Sequence, residues 1–230
     1  MEVWRDASLD WLRQHVIHTY RQGGGSRPDV NLIDKDGQKA VLKDHNACDR
    51  GFRLIIGPLL VWREAKALVR LREINGIPNL YATPDARSLL MEHLPGKQIG
   101  DCERNLAWGD FFNNFERLLQ EMHTLGVAHC DLRNPGNVLV REDNQPAIVD
   151  FVSCVFRGPK WNILSRWIFD KFSQADRDAL AKLKKRVAPE LLTSYEERVL
   201  FAPTRLERVA RTVGTSIRNL GRWLFTRHTR

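Results

Sequence analysis

The sequence of 230 residues lacks the features that mark membrane-spanning proteins, secreted proteins and proteins with a structural metal site. Its longest apolar stretches, such as 54–62 (LIIGPLLVW), are much shorter than the roughly 18 residues that a membrane-spanning helix needs. The first residues, MEVWRDASLDW, have no basic start followed by an unbroken apolar run, as a secretory signal would. The four cysteines lie far apart and form no CxxC pair, so we expect reduced thiols. Together these absences predict a cytoplasmic protein.

The composition that is present is that of a globular protein, with 43% hydrophobic and 28% charged residues. Its length predicts one domain or two small lobes. The net charge of +8 is uneven, because residues 1–156 contain 19 Lys and Arg against 21 Asp and Glu. The positive excess therefore lies after residue 156. Such asymmetry indicates an anionic partner, which is a phosphate-bearing substrate, a membrane surface or a nucleic acid.

The N-terminal half has the pattern of a small antiparallel sheet with one main helix. A short helix, or a helix and a strand, is expected at 8–21. The Asp36-Gly37 pair predicts a tight turn between two strands, the second of which ends at Lys43. Apolar residues at helical spacing predict a helix over 57–75 that stops at Gly76.

Two further strands are expected around the turn residues Pro84 and Asp85, and the pattern then becomes mainly helical. An apolar stripe with four aromatic residues predicts a helix over 106–125. A strand-and-loop segment follows at 127–151, and helical patterns resume over 161–200.

The segment with the clearest chemical pattern is 129–140 (HCDLRNPGNVLV), followed by Ile148-Val149-Asp150-Phe151. An aspartate in a loop between apolar strands, with a second aspartate ending the next strand, resembles the catalytic loop and metal-binding aspartate of the protein-kinase-like superfamily. The small size is similar to that of bacterial RIO-type kinases and lipopolysaccharide-core sugar kinases. The resemblance extends over about 22–156.

The resemblance implies a role for each matching residue, since phosphoryl transfer depends mainly on positioning and charge neutralisation. Asp131 would orient the attacking hydroxyl and accept its proton, and Arg133 would stabilise the transferring phosphate. Asn137 and Asp150 would bind Mg²⁺, with ATP as the phosphate donor. Asn137 lies six residues after Asp131, one more than is usual in kinases, and Asn134 is the competing metal ligand. His129 is expected to tie the loop to the backbone near Asp150.

The same resemblance implies nucleotide-binding residues in the N-terminal half. Lys43 would bind the α and β phosphates of ATP, and Glu64 in the following helix would hold that lysine. Met91, Glu92 and His93 would form the hinge whose backbone contacts adenine.

The glycine-rich loop departs from the pattern of the family. The sequence Gly23-Gly24-Gly25-Ser26 is not GxGxxG, although backbone amides at Gly24, Gly25 and Ser26 could still approach a phosphate. The alternative is a plain flexible loop.

Two further departures concern regulation. Cys130 replaces an arginine that pairs with the activation-loop phosphate in many protein kinases, and Val152 replaces the glycine of DFG. Switching by loop phosphorylation is therefore not expected. An Ala-Pro-Glu tripeptide at 188–190 resembles the one that ends the activation segment of protein kinases. It lies in a helical pattern far from Asp150, so the match is expected to be a coincidence. Without an extended peptide platform, a compact acceptor is favoured.

The C-terminal residues 203–230 contain seven arginines and one acidic residue, with apolar residues at helical spacing. This basic amphipathic pattern is typical of a helix that docks to an anionic membrane or of one that packs on the protein. The tract at 161–172 (WNILSRWIFDKF) raises the same question, with core packing or a surface patch as its interpretations.

Together these patterns predict an α+β, bilobal protein-kinase-like fold, with an N-lobe at 1–93 and a mostly helical C-lobe at 94–230. The expected function is transfer of the γ-phosphate of ATP to a hydroxyl of a lipopolysaccharide or lipid-linked sugar, or of a protein Ser or Thr. Peripheral contact with the inner face of the cytoplasmic membrane is a further expectation. The alternatives are an inactive nucleotide-binding scaffold and a nucleic-acid-binding module, for which the sequence has no recognised motif.

Overall fold

The computed structural model describes residues 2–4, 7–103 and 106–201. These residues form two compact units. The first unit consists of the described residues up to Val69 together with Pro78–His93, and the second consists of Arg70–Ile77 and the described residues from Leu94 onwards. The segment Arg70–Ile77, which the expected boundary after residue 93 assigns to the first domain, therefore groups with the second unit. The basic pattern predicted at 203–230 lies outside the described residues.

The first unit contains a five-stranded antiparallel sheet with the strand order β1-β2-β3-β5-β4. Its strands are β1 (Val16–Arg21), β2 (Asp29–Lys35), β3 (Gln38–Asp44), β4 (Leu80–Asp85) and β5 (Ser88–Glu92). Asp36 and Gly37 both have positive φ, 55° and 82°, which is the geometry of the tight hairpin turn that this residue pair favours. The predicted hairpin is confirmed.

The turn expected at Pro84 and Asp85 is wrong by two residues. Both residues belong to β4, and the turn lies at Ala86 and Arg87. Proline is tolerated there because β4 is an edge strand, where not every N–H group is needed for pairing. Asp85 fixes the turn by accepting a hydrogen bond of 2.9 Å from the Arg87 amide.

The first unit has one short and one main helix. In α1 (Leu9–Gln14) the Ser8 hydroxyl caps the N-terminus by accepting a hydrogen bond from the Trp11 amide. The main helix α2 (Gly57–Leu71) continues directly from a π-helical turn at Phe52–Ile56. A cluster of buried side chains forms the core beside the sheet: Trp4, Leu12, Ile33, Ala40, Leu42 and Leu90.

Helix α2 ends at Leu71, four residues before the predicted end at residue 75, and Gly76 lies in the segment that follows. Gly76 has a φ of 93°, and a Cβ there would lie 2.5 Å from the carbonyl oxygen of Pro146. The Gly76 carbonyl also accepts a hydrogen bond of 2.8 Å from the Ile148 amide. Glycine at this position therefore permits both the left-handed conformation and the close approach of a neighbouring chain segment.

The second unit is mainly helical, as predicted. Its helices are α3 (Trp108–Thr124), α4 (Ile163–Val187) and α5 (Ser194–Phe201). Five short strands complete it: β6 (Lys97–Gln98), β7 (Val127–Ala128), β8 (Val138–Val140), β9 (Pro146–Ile148) and β10 (Val155–Phe156). They pair as β6-β8-β9 and β7-β10. The aromatic stripe of α3 is buried, with Phe111 in edge contact with both Trp108 and Phe112.

Lys184 of α4 connects three helices of this unit. Its ammonium donates to Glu116 of α3 at 3.0 Å and to Glu196 of α5 at 2.8 Å. Burial lowers the pKa of Lys184, but the two carboxylates raise it more, so it lies above its ordinary value. Burial raises the pKa of Glu196, but hydrogen bonds from Lys184 and Thr193 lower it more, so it lies below its ordinary value. Both pKa shifts show that the ionised forms of Lys184 and Glu196 are favoured in the folded protein.

The Ala-Pro-Glu tripeptide lies at the end of α4, where Pro189 begins a short 3-10 turn. The expectation that it is not the end of an activation segment is consistent with this position, because α4 already begins at Ile163 after a short connection from Asp150. No helix in the described part of the chain is both long and apolar enough to span a bilayer.

Candidate active site

In the first unit the structure brings Lys43 and Glu64 together. Lys43 lies near the end of β3 and Glu64 in the middle of α2. The Lys43 Nζ donates to the Glu64 Oε1 over 2.6 Å, and the two side chains are only 7% and 2% exposed. The 21 residues that separate them in sequence thus fold into a buried ion pair.

The strand end that carries Lys43 is fixed by its neighbour Asp44, whose importance the sequence analysis missed. One carboxylate oxygen of Asp44 accepts hydrogen bonds of 2.8 and 2.7 Å from the Arg13 guanidinium. The other accepts bonds from the Ser88 hydroxyl at 3.2 Å and the Asn46 amide at 2.9 Å. Asp44 is 4% exposed, so this network holds the end of β3 rigidly.

The glycine-rich loop forms a closed turn between β1 and β2. Gly24 and Arg27 exchange two backbone hydrogen bonds of 3.0 Å, and the Gly25 carbonyl accepts a third of 2.9 Å from the Asp49 amide. Gly25 has a φ of 59°, a conformation that favours glycine. Within the described residues, the amides of Gly25 and Ser26 donate to no other group. These two N–H groups at the turn can therefore meet an anion.

The predicted hinge residues take part in contacts within the first unit. The Glu92 carboxylate accepts hydrogen bonds of 3.0 and 2.8 Å from the backbone and side-chain amides of Asn79, and the Glu92 amide donates to the Asn79 carbonyl. His93 Nε2 lies 3.1 Å from the Tyr20 hydroxyl. Burial, and then the charge of Lys39, lower the pKa of His93. Backbone contact with adenine at Glu92 and His93 stays a prediction.

In the second unit His129 braces the loop that carries Asp131. Its ring is completely buried, Nε2 donates to the Val149 carbonyl at 3.0 Å, and Nδ1 accepts a hydrogen bond of 3.3 Å from the Asp131 amide. This pattern requires the proton of the neutral ring on Nε2. His129 therefore ties the loop to the residue before Asp150, as the sequence predicts.

Asn137 lies in direct contact with Asp131. Its side-chain amide donates to the Asp131 backbone carbonyl at 3.0 Å and to the Asp131 carboxylate at 3.1 Å. The backbone carbonyl of Asn137 accepts a hydrogen bond of 3.0 Å from the Val149 amide. Asn134, the competing candidate, uses its side-chain oxygen to cap the turn by accepting a bond of 3.2 Å from the Gly136 amide.

Asp150 follows β9 and begins the short 3-10 turn Phe151–Ser153. It is partly buried and has left-handed backbone angles, with φ 70° and ψ 71°. Cys130, directly before Asp131, also has a positive φ of 72°. Backbone of this kind is unfavourable by about 1–3 kcal/mol for each residue and is enriched at functional sites as well as in tight turns. Arg133 is exposed on the same loop.

Asp176 supports this loop from outside it, and the sequence analysis missed its role. It lies on α4, is 1% exposed, and accepts hydrogen bonds from the amides of His129 at 2.7 Å and Cys130 at 2.8 Å. The same carboxylate lies 3.0 Å from the Nε2 of His123. The left-handed turn at Cys130 is therefore held by a buried carboxylate from a distant helix. An aspartate in a charged helical sequence gives no sign of this role.

The donor set of the second unit fits Mg²⁺ bound together with phosphates. Within the described ranges, no three His, Cys, Asp or Glu side chains come together as a metal cage. Mg²⁺ needs no such cage, because it keeps several waters and takes one or two carboxylates plus phosphate oxygens. The Asp150 carboxylate and the Asn137 side-chain oxygen are ligands of the required hard type.

Comparison with known proteins gives matches in structure only. No protein-family model and no curated protein matches the sequence. The structure is similar to that of the Rio2 kinase of Chaetomium thermophilum in its ADP/Mg²⁺-phosphoaspartate complex, with a TM-score of 0.60 and 16% identity. A second structure of Rio2 kinase from the same organism has a TM-score of 0.58 at 16% identity.

The match covers 87% of this chain but only 62% of the chain of the Rio2 complex, and 64% of the second Rio2 structure. At 16% identity this similarity bears on the fold and leaves the resemblance to lipopolysaccharide-core kinases a prediction. The predicted α+β fold is confirmed: the chain has a protein-kinase-like fold.

Proposed function

We propose that the chain is an ATP-dependent phosphotransferase that moves the γ-phosphate of ATP to a hydroxyl group. The observation that carries this proposal is the buried ion pair of Lys43 and Glu64. Removing two charges from water is costly, and a buried pair adds little stability beyond that of apolar side chains of similar size. Its presence is explained if the Lys43 ammonium, oriented by Glu64, binds the phosphates of ATP.

The residues of the second unit are then assigned to the transfer itself. The acceptor hydroxyl oxygen attacks the γ-phosphorus while the bond to the β-phosphate oxygen breaks, and ADP leaves. The Asp131 carboxylate orients the hydroxyl and takes its proton, and the Arg133 guanidinium balances charge on the moving phosphoryl group. Asp150 and Asn137 would hold Mg²⁺, which when bound neutralises charge on the β and γ phosphates.

Asn137 is preferred over Asn134 as the metal ligand. Asn137 is buried and contacts the Asp131 carboxylate, and its side-chain oxygen accepts a hydrogen bond of 3.3 Å from the Asn134 side-chain amide. The side-chain oxygen of Asn134 instead caps the turn by accepting from the Gly136 amide, so Asn134 positions Asn137. The extra residue in the loop is accommodated by the 3-10 turn Pro135–Asn137, which brings Asn137 back to Asp131.

The acceptor we propose is compact rather than an extended peptide. The short connection from Asp150 to α4 leaves little chain on which to lay a peptide. A sugar hydroxyl of a lipopolysaccharide or lipid-linked precursor fits this restriction, and it agrees with the basic C-terminal third and a location at the cytoplasmic face of the membrane. A Ser or Thr side chain in a folded protein is the second acceptor class.

A catalytically inactive nucleotide-binding scaffold is the alternative function. The closed turn at Gly24 and the valine at position 152 favour it, because both differ from the kinase pattern. The Rio2 complex contains a phosphoaspartate together with ADP and Mg²⁺. An aspartyl-phosphate formed from ATP, followed by hydrolysis, is therefore a further outcome to look for in this chain.

The experiment is incubation with γ-labelled ATP and Mg²⁺ against separated lipid, saccharide and protein fractions. We expect label in one fraction, and a loss of about 10²–10⁴-fold in Asp131→Asn, the usual contribution of a general base. Asp143→Asn, which changes an exposed turn aspartate, is the matched control and should transfer label like the parent. Nucleotide binding without any transfer would support the scaffold, and equal transfer by parent and Asp131→Asn would remove Asp131 from its role.

A further inference from the structure

The N-terminal end of α4 carries a group of large apolar side chains that are exposed to solvent. Trp161 is 81% exposed, Ile163 79%, Leu164 66% and Trp167 50%. With Lys160, Arg166 and Lys171, these four residues form what we call the apolar–basic surface. Of the seven large apolar residues in the tract 161–172, for which core packing or a surface patch was expected, only Phe169 is buried.

This exposure follows from the orientation of α4. The helix buries Phe169, Ser173, Asp176 and Leu180, which recur at intervals of three and four residues. Ile163, Trp167 and Lys171 recur at the same spacing on a different side and are exposed. The first turn is fixed because the Asn162 side chain caps it by accepting a hydrogen bond of 2.9 Å from the Ser165 amide. The exposed stripe is therefore part of a well-formed helix.

The charges around this stripe indicate what binds it. Residues 160–171 contain three basic side chains and one acidic one, Asp170. The Lys171 ammonium lies 5.7 Å from the centre of the Trp167 ring. Tryptophan and long aliphatic side chains beside lysine and arginine are typical of surfaces that enter the headgroup region of an anionic bilayer.

Other occupants fit this surface less well. The segment 203–230 is apolar at helical spacing, but its seven arginines would be repelled by a basic surface. A second copy of the chain would oppose like charges in the same way. Nucleic acid would use the basic and aromatic side chains, but it would leave Ile163 and Leu164 exposed to water.

We propose that the apolar–basic surface is a docking site for an anionic lipid bilayer. Trp161, Ile163, Leu164 and Trp167 enter the boundary between headgroups and acyl chains, and the basic side chains contact lipid phosphates. This inference does not depend on phosphotransfer, since it concerns binding alone.

The test is sedimentation of the full chain with vesicles of phosphatidylcholine, with and without phosphatidylglycerol. We expect binding to the anionic vesicles that weakens as salt is raised. The Trp161→Ala/Leu164→Ala variant should lower the partition coefficient at least tenfold. Lys160→Gln/Lys171→Gln should lower it about thirtyfold on anionic vesicles, since each nearby basic residue contributes about fivefold.

Tyr195→Ala is the matched control, because Tyr195 is 63% exposed but is followed by two glutamates. It should bind vesicles like the parent, and circular dichroism should be unchanged in every variant. The proposal is overturned if the parent fails to bind anionic vesicles, or if Trp161→Ala/Leu164→Ala binds like the parent, since the intact segment 203–230 would then account for binding. A dimer of the parent that is lost in this variant would assign the surface to a second copy instead.

Discussion

Replacing Asp176 by asparagine tests whether this buried carboxylate holds the loop that carries Asp131. The two carboxylate oxygens each accept one backbone hydrogen bond, from the His129 amide and from the Cys130 amide. Asparagine has the same shape but offers one oxygen and one NH₂ group, so at least one of the two amides faces a donor. The variant thus loses a hydrogen bond to a charged acceptor and leaves a buried N–H group without an acceptor.

The expected cost is about 2–4 kcal/mol, since a hydrogen bond to a charged group contributes about 1.5–3 kcal/mol and a buried unsatisfied donor costs about 1–3 kcal/mol. For a chain of this size this corresponds to a lowering of the melting temperature by about 4–16 °C. Thermal unfolding followed by circular dichroism measures it. Phosphotransfer should also fall, because the left-handed backbone at Cys130 directly precedes Asp131.

Asp178→Asn is the control for this measurement. Asp178 lies on the same helix, is 9% exposed and accepts one hydrogen bond of 2.9 Å from the Gln174 side chain, which asparagine can also accept. Its melting temperature should change by only a few degrees. If Asp176→Asn melts like the parent, or no lower than Asp178→Asn, the reasoning about the loop is refuted.

Three further predictions concern buried charges and thiols. Lys43→Met should lower the free energy of unfolding by about 3–5 kcal/mol, because it removes the cation beside the buried Glu64, and Lys43→Met/Glu64→Leu should regain most of it in urea titrations. Folding lowers the pKa of Glu196, so this carboxylate stabilises the folded protein above its ordinary pKa of 4.5, and the stabilisation is lost as the pH falls through the lower pKa of the folded state. The melting temperatures of parent and Glu196→Gln should therefore differ at pH 7 and converge in acid. Burial, and then the charges of Asp29, Asp44 and Asp49, raise the pKa of Cys48 to about 11. Mass spectrometry after alkylation of the folded protein at pH 8 should therefore find Cys48 unmodified, and rapid labelling of Cys48 would contradict this environment.

Local patterns were sufficient to predict most of the secondary structure. The Asp36-Gly37 turn and the aromatic stripe of α3 are signals that need only neighbouring residues, and the structure confirms both. The end of α2 was not predictable in this way. The helix ends at Leu71, and Gly76, five residues later, lies close to Pro146, a residue far away in sequence.

Long-range polar contacts explain the rest of what the sequence did not reveal. The roles of Asp44 and Asp176 depend on partners 31 and 47 residues away, and both residues look like ordinary charged residues in their own segments. Helical periodicity at 161–172 identified an apolar stripe, but periodicity is the same for a stripe that faces the core and for one that faces solvent. The exposure of Trp161 and Ile163 therefore required the structure.

Titration of the full chain with ATP in the presence and absence of Mg²⁺ tests the central claim most directly. We predict that Mg²⁺ tightens ATP binding to the parent, that Lys43→Met weakens binding strongly with or without the ion, and that Asp150→Asn removes the effect of Mg²⁺. Asp143→Asn should bind like the parent. Absence of ATP binding by the folded parent, or identical Mg²⁺-dependent binding by parent, Lys43→Met and Asp150→Asn, would contradict the proposal that this chain is an ATP-dependent phosphotransferase.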